Sequence, residues 1–191
     1  MKPEASGDET QRTYKYEAFI SYRHLEPDAS IAIALHQALE HFTIPPLLRN
    51  EHGDKKIGRI FRDQEELPTS SNLGRDIEEA LHDSKWLILI CTPRLLESKW
   101  CMREVDSFIE QGRRDSILTL LVEGEPSDSF PPQIRFADID GETVEIEPLA
   151  ADVRAQTLRE MKKRLKREKL RLLAPMLDVT FDALYQRAKK H

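Results

Sequence analysis

Two short and almost wholly apolar segments, Trp86–Cys91 and Ile117–Val122, limit the folds open to this chain more than any other feature. A strand with one face in water alternates apolar and polar residues, whereas a strand covered on both faces does not need to. At six residues each, the segments are too short for core helices and have the usual length of strands. We therefore expect two central strands of a parallel sheet that is covered by helices on both faces.

Segments with a helical spacing of apolar residues separate these strands from further candidate strands. Ile31, Leu35 and Leu39, for example, recur at every fourth residue. Further helices are expected over about 72–84 and 98–111. The other candidate strands are 16–21, 59–61 and the alternating segment 143–146, which we expect at an edge of the sheet. This alternation of strands and helices is typical of an α/β fold with a five-stranded parallel sheet.

The residues that leave the carboxyl ends of these strands are candidates for a binding site, because ligands of open α/β sheets bind there. Tyr22 and Arg23 follow the first strand, and Asp63 follows the second. Trp100 and Glu104 lie four residues apart in the helix after the third strand, so they share one face of that helix. An aromatic ring beside a carboxylate suits a flat ligand that carries hydroxyls and develops positive charge as it reacts.

Each of these residues also has an ordinary structural interpretation. Trp100 can fill the core beside a solvated Glu104, and Tyr22 can pack rather than bind. Arg23 can form a surface salt bridge, and Asp63 can cap a turn. Three loops that are distant in the sequence should nevertheless meet at one rim of the sheet, which favours a shared site.

Composition excludes several classes of function. The formal net charge of −5 argues against a general nucleic-acid-binding protein. Cys91 and Cys101 have neither the spacing of a metal site nor that of a disulfide framework, and the six histidines are scattered, so we expect reduced thiols and no metal. The amino terminus lacks the apolar run of a signal peptide, and no segment has the length of a membrane span. We therefore expect a cytoplasmic protein.

The two ends of the chain differ from its centre. Residues 1–13 are polar and are expected to form a disordered lead-in. Residues 150–191 are expected to form a basic helical extension that Pro175 breaks or kinks. We favour a solvated helix docked by one apolar stripe over a helix that binds an anionic membrane or nucleic acid.

Three motifs in this order resemble Toll/interleukin-1 receptor (TIR) domains. Residues 16–23 (YEAFISYR) resemble the first conserved box of the family, and 61–74 resemble the loop after the second strand. Residues 98–104 (SKWCMRE) resemble the start of the helix after the third strand. The resemblance implies a TIR domain over 14–149 with a flavodoxin-like sheet. It also implies that this chain is the amino-terminal module of a larger protein with further domains downstream.

The resemblance further implies an enzyme, because some family members cleave NAD⁺ between nicotinamide and ribose. Glu104 matches the glutamate that those members require, and Trp100 matches an aromatic position beside it. Tyr22, Arg23 and Asp63 are then expected to bind substrate. NAD⁺ enters as the substrate, so no cofactor is expected.

The resemblance also implies partners and alternatives. Family enzymes commonly act when self-associated, and we expect TIR–TIR contacts that involve the loop 62–74, in bacterial anti-phage immune signalling. The product would be ADP-ribose or a cyclic isomer. A non-enzymatic TIR–TIR assembly module is the main alternative, and a domain that detects a nucleotide without cleaving it is another.

Overall fold

The computed structural model describes residues 13–62 and 73–190. Within these ranges it contains seven strands, eight α-helices and two short 3₁₀ helices, Pro46–Leu48 and Arg114–Ser116. The strands are β1 (Tyr16–Ser21), β2 (Ile60–Arg62), β3 (Ser84–Cys91), β4 (Ile117–Leu121), β5 (Phe136–Ile139), β6 (Glu142–Glu145) and β7 (Ala150–Asp152). The helices are α1 (Asp28–His41), α2 (Leu73–His82), α3 (Pro93–Leu96), α4 (Lys99–Glu110), α5 (Pro126–Ser129), α6 (Pro132–Arg135), α7 (Leu158–Met176) and α8 (Phe181–Ala188).

Five of the strands form one parallel sheet in the order β2-β1-β3-β4-β7. This confirms the flavodoxin-like architecture. The two apolar segments are the adjacent central strands, and Leu89 of β3 pairs with Thr119 of β4. The strand order reverses direction between β1 and β3, so the carboxyl ends of these two strands flank a crevice of the kind in which such sheets bind ligands.

The prediction that 143–146 forms an edge strand of this sheet is wrong. Residues Glu142–Glu145 pair antiparallel with β5 in a separate two-stranded hairpin. Asp140 and Gly141 connect the two strands, both with positive φ, as a tight two-residue hairpin turn requires. The edge of the main sheet is instead β7, whose Ala151 pairs with Leu120.

The sheet therefore continues past residue 149, where we expected the domain to end. Helix α7 also packs against α1 on one face of the sheet, so the predicted extension contributes to the same core. The predicted lead-in, except for Thr13, lies outside the described residues.

Each face of the sheet has its own apolar core. On one face, Ile20 and Ile88 pack with residues of α1 and α7, including Leu35 and Leu173. On the opposite face, α2 and α4 cover the residues that alternate with these along the strands, including Phe19. This division assigns every residue at the carboxyl rim to one side or the other.

Helix α7 docks by an apolar stripe, as expected. Met161, Leu165, Leu172, Leu173 and Met176 are buried, while most of its cations are exposed. Pro175 does not break the helix early, because it lies in the last turn. In the part of the chain that the structure describes, no helix is both long and apolar enough to cross a membrane.

Candidate active site

The site is built on the first turn of α4, which is held at a fixed position against β1. The Ser98 side chain accepts a hydrogen bond from the Cys101 N–H at 3.1 Å and thereby caps the helix. The Cys101 thiol then donates to the Tyr22 carbonyl, with 3.7 Å between the two atoms. The amino terminus of α4 is thus attached to the carboxyl end of β1, as the rim argument predicts.

Glu104 lies one turn further along α4 and is 6% exposed. Its side chain borders a groove of about 510 Å³ between α2 and α4, where Trp100 is also exposed to the cavity. Ile77 and Leu81 of α2 supply apolar lining on the opposite side. Glu104 therefore lines a groove rather than pointing into the apolar core.

Trp100 is partly buried and stands between the groove and the second core. A Cβ atom built on Gly74 would lie 3.7 Å from its Cη2 atom, which is ordinary contact distance. The indole thus packs against the first turn of α2 and still presents an edge to the groove. Both interpretations of Trp100, packing and ligand contact, are compatible with this position.

Arg23 lies on the same side of the sheet as Glu104. The alternation of β1 places Phe19 in the core under α2 and α4, so Ser21, the last residue of the strand, lies on that side, and Arg23 follows two residues later. The electrostatics of Cys101 agree, because burial raises the pKa of its thiol and the charge of Glu104 raises it further, while the nearby Ser21 and Ser98 side chains and, least of all, the charge of Arg23 lower it. A guanidinium and a carboxylate therefore both act on this thiol, which is held protonated and unsuited to nucleophilic attack.

Tyr22 points to the opposite side. Its ring belongs to the core shared with α1, and it stacks on His24 with 4.5 Å between ring centroids. Its hydroxyl accepts a hydrogen bond from Arg62 at 3.3 Å. The structure thus brings Trp100 and Glu104 to one groove and places Arg23 on the same side of the sheet, whereas the ring of Tyr22 faces the opposite side. Asp63, the fifth predicted site residue, lies outside the described residues, as does most of the loop 62–74.

A buried ionic network at the same rim was not predicted. Asp28 is fully buried and accepts hydrogen bonds from Thr92 Oγ1 at 2.9 Å and from the Arg94 guanidinium at 2.7 Å. The same guanidinium nitrogen donates to Glu123 at 2.8 Å. Hydrogen bonding to Glu123 and Asp28 raises the pKa of Arg94, and bonding to Arg94 lowers the pKa of Glu123. The network joins the segments that follow β1, β3 and β4.

The sequence offered one sign of this network. Asp28 follows Pro27 at the start of an apolar-periodic segment, a position at which an aspartate commonly caps a helix. The structure shows no side-chain cap at that position, and the carboxylate instead turns inward. The partners Thr92 and Arg94 are 64 and 66 residues away, so local spacing could not reveal them.

A second polar group links α1 to β2 behind Tyr22. Arg62 Nε donates to His36 Nδ1 at 3.2 Å, and His36 Nε2 lies 3.1 Å from the Glu40 carboxylate. Glu40 also accepts the Ile60 N–H at 3.0 Å. Burial opposes its ionisation, but the bonds from Ile60 and His36 prevail and lower the pKa of Glu40. This group anchors the end of β2, the last described element before Asp63.

Metal ligation finds no support in this part of the chain. Across residues 13–62 and 73–190, no group of three or more histidine, cysteine, aspartate or glutamate side chains is arranged to hold a metal ion.

A model of the TIR domain family matches residues 18–153, which is well over half of the chain. This chain belongs to the TIR domain family. The matched segment begins in β1 and ends just after β7, so it coincides with the five-stranded sheet and includes Arg23, Trp100 and Glu104.

Two further comparisons place this TIR domain among known proteins. It is 31% identical over 111 residues to a protein of Actinoplanes sp. named NAD(+) hydrolase ApTIR; the match covers 58% of this chain and 14% of that relative. The chain thus spans a small part of the relative's length. Among solved structures, the TIR domains of the activated Roq1 resistosome, which directly recognises the pathogen effector XopQ, align with a TM-score of 0.43 and 19% identity. That alignment covers 59% of this chain and 60% of the other.

Proposed function

We propose that this TIR domain hydrolyses NAD⁺ at the bond between nicotinamide and ribose. The observation that carries the proposal is the position of Glu104, whose carboxylate lines a groove beside the partly buried Trp100, with Arg23 on the same side of the sheet. These are the groups that a cationic, flat and phosphorylated substrate requires. NAD⁺ is the substrate in this proposal, and no resident cofactor takes part.

The chemistry needs few protein groups. Nicotinamide in NAD⁺ carries a positive charge, so it leaves with the electron pair of the C1′–N bond and needs no general acid. The ribose acquires oxocarbenium character as that bond stretches, as in glycoside hydrolysis. The Glu104 carboxylate stabilises this cation and accepts a hydrogen bond from a ribose hydroxyl. Water then adds to C1′ and releases a proton, or an adenine nitrogen of the same molecule adds and gives a cyclic isomer.

In this proposal Trp100, which lines the groove, and Arg23, on the same side of the sheet, bind the substrate. Trp100 offers an aromatic edge for the nicotinamide ring, and the Arg23 guanidinium pairs with the pyrophosphate. The named activity of the Actinoplanes relative supports this assignment of substrate, since the match runs over 111 residues. The proposal leaves Tyr22 out of the groove, because its ring stacks on His24 and its hydroxyl accepts from Arg62.

The proposal includes self-association in the cytoplasm as the condition for activity, with the loop 62–74 in the contact. Bacterial anti-phage signalling is the context in which such an enzyme would act, by depleting NAD⁺ or producing a signal from it. Further domains of the same protein would supply the trigger. The second candidate is a TIR–TIR assembly module without catalysis, which the membership of the family equally allows.

The deciding experiment follows nicotinamide release from NAD⁺ by concentrated protein. Glu104→Gln keeps the shape of the side chain and removes its charge, so we expect a loss of a few hundredfold or more, or about 3–4 kcal/mol of transition-state stabilisation. Glu97→Gln is the matched control, because Glu97 is exposed and precedes α4; it should leave the rate unchanged. Full activity of Glu104→Gln would refute the assignment, and a wild type that is silent at every concentration would favour the assembly module.

A further inference from the structure

The hairpin of β5 and β6 and the residues after it concentrate exposed apolar side chains. In the described part of the chain eight large apolar side chains are exposed, and five of them lie within residues 136–149: Phe136, Ile139, Val144, Ile146 and Leu149. We call residues 136–149 the hairpin segment. Apolar side chains exposed singly are ordinary on a protein surface, whereas a cluster of them indicates a contact surface.

Three of these side chains share one face of the hairpin. Its register pairs Ala137 with Val144 and Ile139 with Glu142, and residues paired in this way project to the same face. Ile146 follows two residues after Val144 and continues on that face. Ile139, Val144 and Ile146 are 50%, 40% and 39% exposed. This face therefore carries an apolar stripe that the rest of the domain covers only in part.

The hairpin segment is also acidic. It contains five carboxylates and no lysine, arginine or histidine. Asp138, Glu145 and Glu147 alternate with the residues of the apolar stripe and so belong to the other face. Arg135 pairs with Glu145, whose side chain nevertheless remains 62% exposed. Within the described ranges this is the one ion pair that a lysine or arginine makes with the segment, so the surface keeps most of its negative charge.

The outer edge of β6 offers backbone groups for hydrogen bonding. The Ile146 N–H donates to the Arg135 carbonyl across the hairpin, so the backbone groups of Ile146 face inward. Because this direction alternates along an antiparallel strand, the N–H and C=O groups of Thr143 and Glu145 face outward. No backbone hydrogen bond among the described residues occupies these outward groups.

The two edges of the hairpin differ in how they are protected. On β5 the Phe136 carbonyl accepts a hydrogen bond from the Arg114 guanidinium at 2.8 Å. Strand β6, Glu142–Glu145, contains no lysine or proline of the kind that usually protects an edge strand. Its carboxylates repel a second acidic strand and leave the edge open to a basic one.

We propose that the outer edge of β6 binds an extended segment of a partner polypeptide in which basic and apolar residues alternate. The partner adds a strand whose backbone pairs with Thr143 and Glu145. Its apolar side chains lie beside Val144 and Ile146, and its basic side chains lie on the other face beside Glu145 and Glu147. The hairpin of a second copy does not fit, because like charges directly opposite each other destabilise a strand pair.

This surface is separate from the candidate active site. Residues of α2 and α4 line the groove that contains Glu104, and no residue of the hairpin segment is among them. A partner on β6 therefore leaves the groove open, and the inference does not rest on the proposed function.

A labelled peptide, Lys-Val-Lys-Val-Lys-Val-Lys, tests the proposal by fluorescence anisotropy. A contact this small is weak, so we expect a Kd of about 10–100 μM at about 50 mM NaCl. Salt screens exposed charges, and at about 500 mM NaCl the affinity should fall about tenfold. The peptide Lys-Lys-Lys-Lys-Val-Val-Val has the same composition without the alternation and should bind about tenfold more weakly; equal binding of the two peptides would overturn the proposal.

Methylation of the peptide nitrogens tests strand pairing on the unaltered protein. In an antiparallel addition the lysines lie opposite Thr143 and Glu145 and direct their N–H groups toward β6. Methylation of the lysine nitrogens should then abolish binding, and methylation of the valine nitrogens should not; a parallel addition reverses this result. Equal effects of the two sets of methyl groups would overturn strand pairing and leave side-chain contacts alone, as with a docked helix.

A pair of charge-reversed variants locates the contact on the protein. Asp138→Lys with Glu147→Lys changes the hairpin segment and should weaken binding of the alternating peptide at least tenfold. Glu51→Lys with Glu97→Lys makes the same change in net charge at exposed positions elsewhere and should bind like the wild type. Circular dichroism establishes that both variants are folded.

Equal losses in the two variants would show attraction to the net charge of the protein alone and would overturn the proposal. Sedimentation without peptide covers the remaining occupant, because association of the wild type that Asp138→Lys with Glu147→Lys abolishes would assign this surface to a second copy instead. None of these readouts depends on NAD⁺ cleavage.

Discussion

Substitution of Asp28 by alanine should destabilise the fold more than substitution of any other residue in its ionic network. The carboxylate is fully buried and accepts from both Thr92 and Arg94. Its removal leaves the Thr92 hydroxyl without its acceptor, at a cost of about 1–3 kcal/mol for a buried polar group. Arg94 loses one of its two carboxylate partners but keeps Glu123, and its side chain is 26% exposed. Its contribution to the loss of stability is therefore smaller than that of a buried charge left without any partner.

These contributions give an expected loss of about 2–4 kcal/mol for Asp28→Ala. For a chain of this size the loss corresponds to a decrease in Tm of roughly 5–12 °C. Asp28→Asn keeps an oxygen that can accept from Thr92 and should lose about half as much. Glu123→Gln is the matched control, because the Glu123 side chain is 49% exposed and an exposed ion pair is worth about 0–1 kcal/mol.

Urea denaturation followed by circular dichroism measures all three variants. The order Asp28→Ala, Asp28→Asn, Glu123→Gln, from most to least destabilised, is the expected result. Equal losses for Asp28→Ala and Glu123→Gln would show that burial of the Asp28 carboxylate contributes nothing, and a loss below about 0.5 kcal/mol for Asp28→Ala would refute the reasoning altogether.

Two further predictions concern a glycine pair and the cysteines. Gly124 has φ +82°, and a Cβ atom there would lie 2.6 Å from Ser129 Oγ, whereas Gly112 has φ +72° with open space around it. Gly112→Ala should therefore lower the free energy of unfolding by about 1–2 kcal/mol, from backbone strain alone, and Gly124→Ala should lower it clearly more. Urea denaturation measures both variants. Burial raises the pKa of both Cys91 and Cys101. Both thiols should therefore react slowly with iodoacetamide in the native protein and rapidly in urea. Fast labelling of Cys101 in the native protein would contradict its contact with the end of β1.

The strands that could be predicted are those whose patterns reflect burial. Trp86–Cys91 and Ile117–Val122 are apolar because helices cover both faces of the central strands, and the sequence shows this directly. Strand β7 was not predicted from the sequence, because Ala150–Asp152 is only three residues long and lacks β-branched or aromatic side chains. It is a strand only because β4 offers it a hydrogen-bonding edge.

The hairpin error has a different origin. Residues 143–146 alternate as a half-buried strand should, and that pattern alone assigned them to the sheet. The preceding Asp140-Gly141 pair is a strong local signal for a tight hairpin, and it was available in the sequence. Weighing that turn signal above the alternation would have paired 142–145 with the residues before it, as the structure does.

The sequence could predict those parts of the candidate site in which the spacing of residues along a helix or strand determines the face on which their side chains lie. Trp100 and Glu104 share a helix face by the helical repeat, and the structure places both at one groove. Tyr22 and Arg23 are adjacent residues that directly follow β1, and continuation of the strand's period of two sends their side chains to opposite faces of the sheet. Only one of them can face the groove beside Glu104, and the positions of Phe19 and Ile20 decide which.

That choice bears on the mechanism. Arg23 shares the side of Glu104 and opposes its effect on the pKa of the Cys101 thiol, whereas the Tyr22 ring stacks on His24 and its hydroxyl accepts from Arg62. Two adjacent residues that the sequence presents as one substrate-binding motif therefore make contacts on opposite sides of the sheet. Under the proposed function the arginine binds a phosphate of the substrate, whereas the tyrosine hydroxyl joins the end of β1 to the end of β2. Loss of the two side chains should then differ in kind, with substrate affinity following Arg23 and the anchoring of β2 following Tyr22.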